Sequence, residues 1–177
     1  MAKAKALLPT MPGMLVPQLA TLVQRASDSE EWLSEVKYDG YRALARIDHG
    51  QIKVYTRAGN DWTLKWPSIV EALKEVSADQ AWLDGEVVAL NEDGSISFQA
   101  LQNFHSNLKT KKRDTRLAYY IFDITFLNGQ DVSEFPLIDR KALLKELQPN
   151  PLSSIAITSL VVRMQYSKTL VSTIWRA

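Results

Sequence analysis

Apolar residues arrive in this chain in short runs of strand length, and several are closed by a dipeptide ending in glycine: Asp39-Gly40, His49-Gly50, Asp93-Gly94 and Asn128-Gly129. Such pairs favour tight turns, so runs of this kind fold back on themselves instead of continuing. From Glu31, EWLSEVKYDGYRALARIDHGQIKVYTRAG mixes β-branched and aromatic residues with polar ones in partial alternation, the pattern of half-buried strands. AWLDGEVVALNEDGSIS predicts a hairpin turning at 91–94, and LAYYIFDITFLNG predicts a strongly apolar strand ending at Asn128-Gly129. WPSIVEALKEV spaces Ile69, Leu73 and Val76 for one helix face behind Pro67 and Ser68. SFQALQNFHSNL predicts a second helix, and PLIDRKALLKEL a third with Leu137, Leu143, Leu144 and Leu147 on its apolar side. Strands and helices mix without a regular βαβ repeat, so the expected class is α+β.

Composition narrows the chemistry. The 177 residues are 46% hydrophobic, enough for one core and too few for two ordinary domains. With 21 Lys and Arg against 20 Asp and Glu, bulk charge points to no polyanion, so any nucleic-acid contact has to be local. Zero cysteines exclude a disulfide framework, a thiol nucleophile and Cys-ligated zinc, and His49 and His105 are too few for a His-rich metal site. Catalysis has to rest on Lys, Asp, Glu and Arg. The front of the chain reads as a tethering arm at 1–15, interrupted by prolines and without a convincing cleavage signal. No uninterrupted apolar run reaches the roughly 18 residues of a membrane span, and the cytoplasm is the expected location.

The densest group of reactive residues is EVKYDGYR, Glu35 to Arg42. If the strand continues through it, Glu35, Lys37 and Asp39 share one face, and a lysine stands between two carboxylates with Arg42 just beyond. A lysine nucleophile must lose its proton, against an unperturbed pKa of about 10.4, and flanking carboxylates oppose that. They suit substrate hydroxyls, a base or Mg²⁺ better. Read alone, the octapeptide also admits a plain account: Asp39-Gly40 is a two-residue hairpin turn and Lys37 a solvated strand lysine paired with Glu35.

Lys37-Tyr38-Asp39-Gly40-Tyr41-Arg42 resembles the signature of the covalent nucleotidyltransferases, specifically the ATP-dependent DNA ligases: a lysine, any residue, Asp-Gly, and an arginine two residues later. TRAGNDWT (Thr56 to Thr63), LDGE (Leu83 to Glu86) and YYIFDITFLNG (Tyr119 to Gly129) are similar to the elements that follow in that family, in the same order. The text between them, including VPQLATLV, FQALQN and PLIDRKALLKEL, resembles the ligase domain of bacterial end-joining enzymes of the ligase D type, over roughly 10–155.

The resemblance implies an α+β, ATP-grasp-like adenylation domain of antiparallel sheets flanked by helices, of which this chain carries the N-terminal part at 16–155. It implies that Lys37 attacks the α-phosphate of ATP and becomes a lysine–AMP phosphoramidate, that Glu35 lies against the adenine, and that Arg42 and Arg57 contact ribose and phosphates. Glu86 holds the ribose hydroxyl or a metal-bound water, Asp39 joins Glu86 as a Mg²⁺ ligand, and Phe122 stacks on adenine. The implied substrate is nicked or broken double-stranded DNA, and the implied partners are the Ku end-binding protein and polymerase or phosphoesterase modules. In isolation each residue has a bland alternative: Arg57 belongs to a turn with Gly59 and Asn60, Glu86 is a solvated strand carboxylate, and Phe122 is core. Lys109, Lys111, Lys112, Arg113 and Arg116 form a basic cluster, either a phosphate-contacting loop or a solvated charge run. RNA ligases and capping nucleotidyltransferases share the signature, and a non-catalytic nucleotide- or DNA-binding remnant is the rival from another class.

Two later family elements, a Glu-Gly segment ending in a lysine and a strand carrying Lys-x-Lys, have no counterpart in family order here, nor does an OB-fold. A chain without them is expected to bind triphosphate poorly and to be marginally stable, since domains are stable by only about 5 to 15 kcal/mol. The tail at 156–177 resembles nothing the family has there. Reading the last base of each codon with the first two of the next from Ile155, permitted codons spell RYHIVGSADAVFQNASQHNLEG, which looks like the family's continuation and ends in Glu-Gly. A one-base frameshift near Ile155 is therefore the expected origin of the tail.

Overall fold

The computed structural model of the protein describes residues 10–19, 32–106, 115–147, 155–157 and 172–176. The elements run β1 (Trp32–Val36), β2 (Tyr41–Asp48), β3 (Gln51–Thr56), α1 (Pro67–Leu73), β4 (Gln80–Leu90), α2 (Phe98–Ser106), β5 (Arg116–Leu127), β6 (Gln130–Asp131), α3 (Leu137–Glu146), β7 (Ile155–Ile157) and β8 (Ser172–Arg176). The class is α+β. The main sheet has the order β3-β2-β4-β5-β6, antiparallel throughout, with β7 parallel to β5. β1 and β8 form a separate antiparallel pair.

Turn chemistry explains most of the antiparallel order. His49 and Gly50 both have positive φ, 48° and 80°, so β2 and β3 are joined by a two-residue turn of the type that matches strand twist. Asn128 and Gly129 repeat this at φ 45° and 85°, and the Asn128 side-chain oxygen accepts from the amides of Asp79 and Gln80 at the start of β4. The hairpin expected after β4 is shorter than its sequence suggests: Leu90 and Ile96 make a single bridge. β2 already occupies that edge of β4 as far as Val87, which leaves little backbone to pair.

The two-residue side-chain period of β2 and β4 separates two packing regions. Ala43, Ala45, Ile47, Ala81, Leu83, Val87 and Ala89 belong to the larger core, with Ile69 and Leu73 of α1, Leu101 of α2, and Leu144 and Leu147 from α3 and its end. Leu44 and Trp82 instead join Met11 and Phe126 in a smaller cluster. The arm is tied there by the Trp82 indole, which donates to the Pro12 carbonyl at 2.9 Å.

Asp39-Gly40 is not a hairpin turn. β1 and β2 do not pair with each other; the residues between them carry the chain from the small sheet to the large one. The strand stops at Val36, so Lys37 and Asp39 lie outside it and the shared strand face expected for Glu35, Lys37 and Asp39 does not form. Glycine at 40 is required for space: a Cβ there would stand 2.3 Å from the Val87 carbonyl oxygen. Gly85 is equally confined, 2.5 Å from the Tyr120 carbonyl oxygen. Neither has positive φ. Lys109, Lys111, Lys112 and Arg113 lie outside the described residues, while Arg116 is exposed at the start of β5. No helix among the described residues is long and apolar enough to cross a membrane.

Candidate active site

The register of β2 on β4 sets Arg42 opposite Glu86 and Leu44 opposite Asp84. Within that frame Arg42 turns to Asp84 and makes a two-point ion pair, Nε to Oδ1 at 2.8 Å and Nη2 to Oδ2 at 2.6 Å. Its guanidinium carbon also lies 4.9 Å from the centre of the Phe122 ring. Burial works against the Arg42 charge, but the Asp84 hydrogen bonds and the Asp84 and Glu86 carboxylates together hold it firmly protonated.

Phe122 owes its placement to an irregularity that alternation does not announce. In the β4–β5 ladder Gly85 faces Ile121 and Asp84 faces Asp123, so Phe122 is an extra residue in a β-bulge. A bulge re-aims side chains and releases backbone groups from the ladder. The Phe122 carbonyl is taken by the Lys141 ammonium, which also pairs with Glu35. The neighbouring Arg140 holds Asp123, Nε to Oδ1 at 2.8 Å and Nη2 to Oδ2 at 3.0 Å.

Glu86 is half-buried, and among the described residues no ion pair neutralises it directly. Burial, helped by Asp84, outweighs the pull of Lys37, Arg42 and the Gly40 amide, so its carboxyl is pushed up to about 7. Lys37 itself is exposed on the connector, near enough for its charge to be felt at Glu86. The next residue, Tyr38, stacks on Tyr120 of β5 with centroids 4.2 Å apart and rings 11° from parallel, which ties the connector to the main sheet.

Of the residues singled out from sequence, Glu35, Arg42 and Phe122 line one cavity of about 180 Å³, together with Asp84, Asp123, Arg140, the last arm residue Leu15 and the Val16, Pro17 and Gln18 that follow it. Lys37, Asp39, Glu86 and Arg57 are not in its lining. Arg57 is exposed on the turn after β3; since Thr56 pairs with Ala43, that turn leaves the sheet beside Arg42. No group of three or more His, Asp or Glu side chains able to hold a metal is found among the described residues. Asp84, Asp123, Arg140 and Lys141 escaped sequence reading. For Lys141 the signal was there: four residues after Leu137 and three before Leu144, it puts a charge on the apolar side of α3.

The sequence profile described as the ATP dependent DNA ligase domain matches residues 14–169. The multifunctional non-homologous end joining protein LigD of Pseudomonas aeruginosa is 39% identical over 137 residues, which is 77% of this chain and 16% of that protein. The LigD DNA repair protein of Mycobacterium tuberculosis is 34% identical over 134 residues, 75% of this chain and 17% of that protein. This chain thus spans about a sixth of the length of these curated relatives. Among solved structures, the ligase domain of M. tuberculosis LigD superposes with a TM-score of 0.56 at 35% identity, covering 71% of this chain and 39% of that one. A mycobacterial DNA ligase D complexed with ATP and MES gives 0.54 at 32% identity, with the same coverages.

Proposed function

The chain belongs to the ATP-dependent DNA ligase domain family, and from that premise we propose that it carries the nucleotide-binding and lysine-adenylating part of an ATP-dependent DNA ligase of the end-joining type. The observation that carries this is the convergence of Glu35, Arg42 and Phe122 on one cavity, with Glu86 feeling the charges of Arg42 and Lys37, in a chain whose relative of similar sequence was solved with ATP.

In this reading adenine enters the cavity against Phe122, with Glu35 at its polar edge. Arg42 is held by Asp84 in a fixed fork and turns its remaining donors toward ribose and phosphate oxygens. Glu86, once ionised, accepts from a ribose hydroxyl. The Lys37 amine attacks the α-phosphorus: an N–P bond forms, the P–O bond to pyrophosphate breaks, and the ammonium proton goes to solvent. Arg57, on the turn that follows the Ala43–Thr56 pair, would meet the charge that develops on the phosphates. Mg²⁺ typically binds through one or two carboxylates plus substrate phosphates and water, which suits a site offering Glu86 and Asp39 and, among the described residues, no complete protein cage; when bound it would neutralise phosphate charge. AMP would pass next to a DNA 5′-phosphate and the 3′-hydroxyl would seal the break. The antiparallel sheets and flanking helices accord with an ATP-grasp-like adenylation domain at 16–155.

The test is incubation of the purified chain with α-labelled ATP and Mg²⁺, beside Lys37→Ala, and denaturing electrophoresis. Covalent label lost in the variant supports the proposal. Absence of label from both favours a nucleotide- or DNA-binding role without turnover.

A further inference from the structure

Lys141 is a lysine only 4% exposed, on the side of α3 that also buries Leu137 and Leu144. Such a charge is tolerated inside a protein only when it is paired and hydrogen-bonded. Its partners include the Glu35 carboxylate, 106 positions earlier in the chain, and the carbonyl released by the bulge at Phe122. Packing alone does not call for an ammonium at this place, because an apolar side chain would fill it without the desolvation penalty.

We propose that Lys141 is a positioning residue for base recognition, which holds the Glu35 carboxylate and the Phe122 backbone so that Glu35 faces the base as a hydrogen-bond acceptor and favours a 6-amino purine over a 6-oxo purine. The inference rests on the reading under Proposed function, in which Glu35 and Phe122 flank the base. An ionised carboxylate only accepts hydrogen bonds, whereas a protonated one also donates. The 6-amino group of adenine needs an acceptor and the 6-oxo group of hypoxanthine needs a donor, so the charge state of Glu35 selects between them.

The surroundings of Glu35 make Lys141 the group that decides this. Burial and the Asp123 carboxylate of β5 favour the neutral acid, and Lys141 of α3 opposes them through its charge and its hydrogen bond. Tyr38 on the connector feels the Glu35 charge, and Arg42, Asp84 and Arg140 line the same cavity. Arg42 and Arg140 are committed to Asp84 and Asp123, each through two hydrogen bonds. Arg140 therefore fixes the residue after the bulge while Lys141 fixes the bulge itself.

The experiment is equilibrium binding of ATP and of inosine triphosphate to the full chain, unaltered and as Lys141→Met, Lys141→Arg and Glu35→Gln, below and above neutrality, with melting curves to verify folding. The unaltered chain should prefer ATP about tenfold or more, the size expected when a hydrogen bond to a charged group is lost. Lys141→Met should lose that preference below neutrality and regain part of it above, and Lys141→Arg should keep it. Glu35→Gln, whose amide both donates and accepts, should lose it at either pH, and decides the matter if Lys141→Met does not fold. A folded Lys141→Met or Glu35→Gln that retains the full preference overturns the inference, as does an unaltered chain that binds both nucleotides equally. An unaltered chain that binds neither overturns the reading under Proposed function and this inference with it.

Discussion

Arg42 and Asp84 reach each other diagonally across neighbouring strands in a two-point ion pair, with side chains only 16% and 9% exposed. Removing one member of such a pair leaves the other as an uncompensated buried charge, which destabilises by about 3 to 5 kcal/mol in comparable cases. Asp84→Ala should therefore lower the urea midpoint sharply and weaken ATP binding, since Arg42 would also lose its orientation. A variant as stable as the unaltered chain would show that the pair is dispensable.

Gly40 and Gly85 should resist even alanine. The added methyl would press on backbone carbonyls, at 2.3 Å from Val87 and 2.5 Å from Tyr120, where no side chain can move aside. Overpacking of this kind typically destabilises by about 1 to 3 kcal/mol. Gly50→Ala, in a turn where nothing lies within 4 Å, tests conformation instead of space and should have the smaller effect. Denaturant titration of the three variants checks the order.

These two sites also show how far the sequence could be read. His49-Gly50 and Asn128-Gly129 announced where their strands end because a positive-φ turn is a local property of two residues. Pro67, Ile69 and Leu73 likewise announced α1, and the order of motifs around Lys37, Arg57, Glu86 and Phe122 pointed to the family. Asp39-Gly40 looked like another turn because its reason for being glycine lies in β4, nearly fifty residues away. The bulge at Phe122 and the reach of Lys141 to Glu35 arise from register between distant segments, which periodicity within one segment does not encode.

Glu86 should make stability and nucleotide binding respond to pH in opposite directions. Its carboxyl is raised in the folded chain from 4.5 to about 7, so its favourable contribution to folding is fully present below 4.5 and is lost as pH rises through about 7. Glu35, raised chiefly by burial, adds to the same trend. In the proposed reading the ionised Glu86 carboxylate accepts from the ribose, so ATP binding should strengthen over the same interval. Glu86→Gln should flatten both curves; unchanged slopes in melting and in binding titrations would remove Glu86 from the account.

The gene itself carries a prediction about residues 155–177. Codons read one base out of register from Ile155 should spell RYHIVGSADAVFQNASQHNLEG or a close relative of it. Nucleotide sequencing decides this, and codons that encode an unrelated peptide in the shifted frame would contradict it.

Uptake of AMP by Lys37 can be read by mass spectrometry of the chain after incubation with ATP and Mg²⁺, followed by proteolysis. The peptide bearing Lys37 should gain the mass of one AMP, in a bond sensitive to acid as a phosphoramidate is, and the gain should be absent from Lys37→Ala. An AMP adduct on a different lysine, or a bound nucleotide with no adduct at any residue, would contradict it.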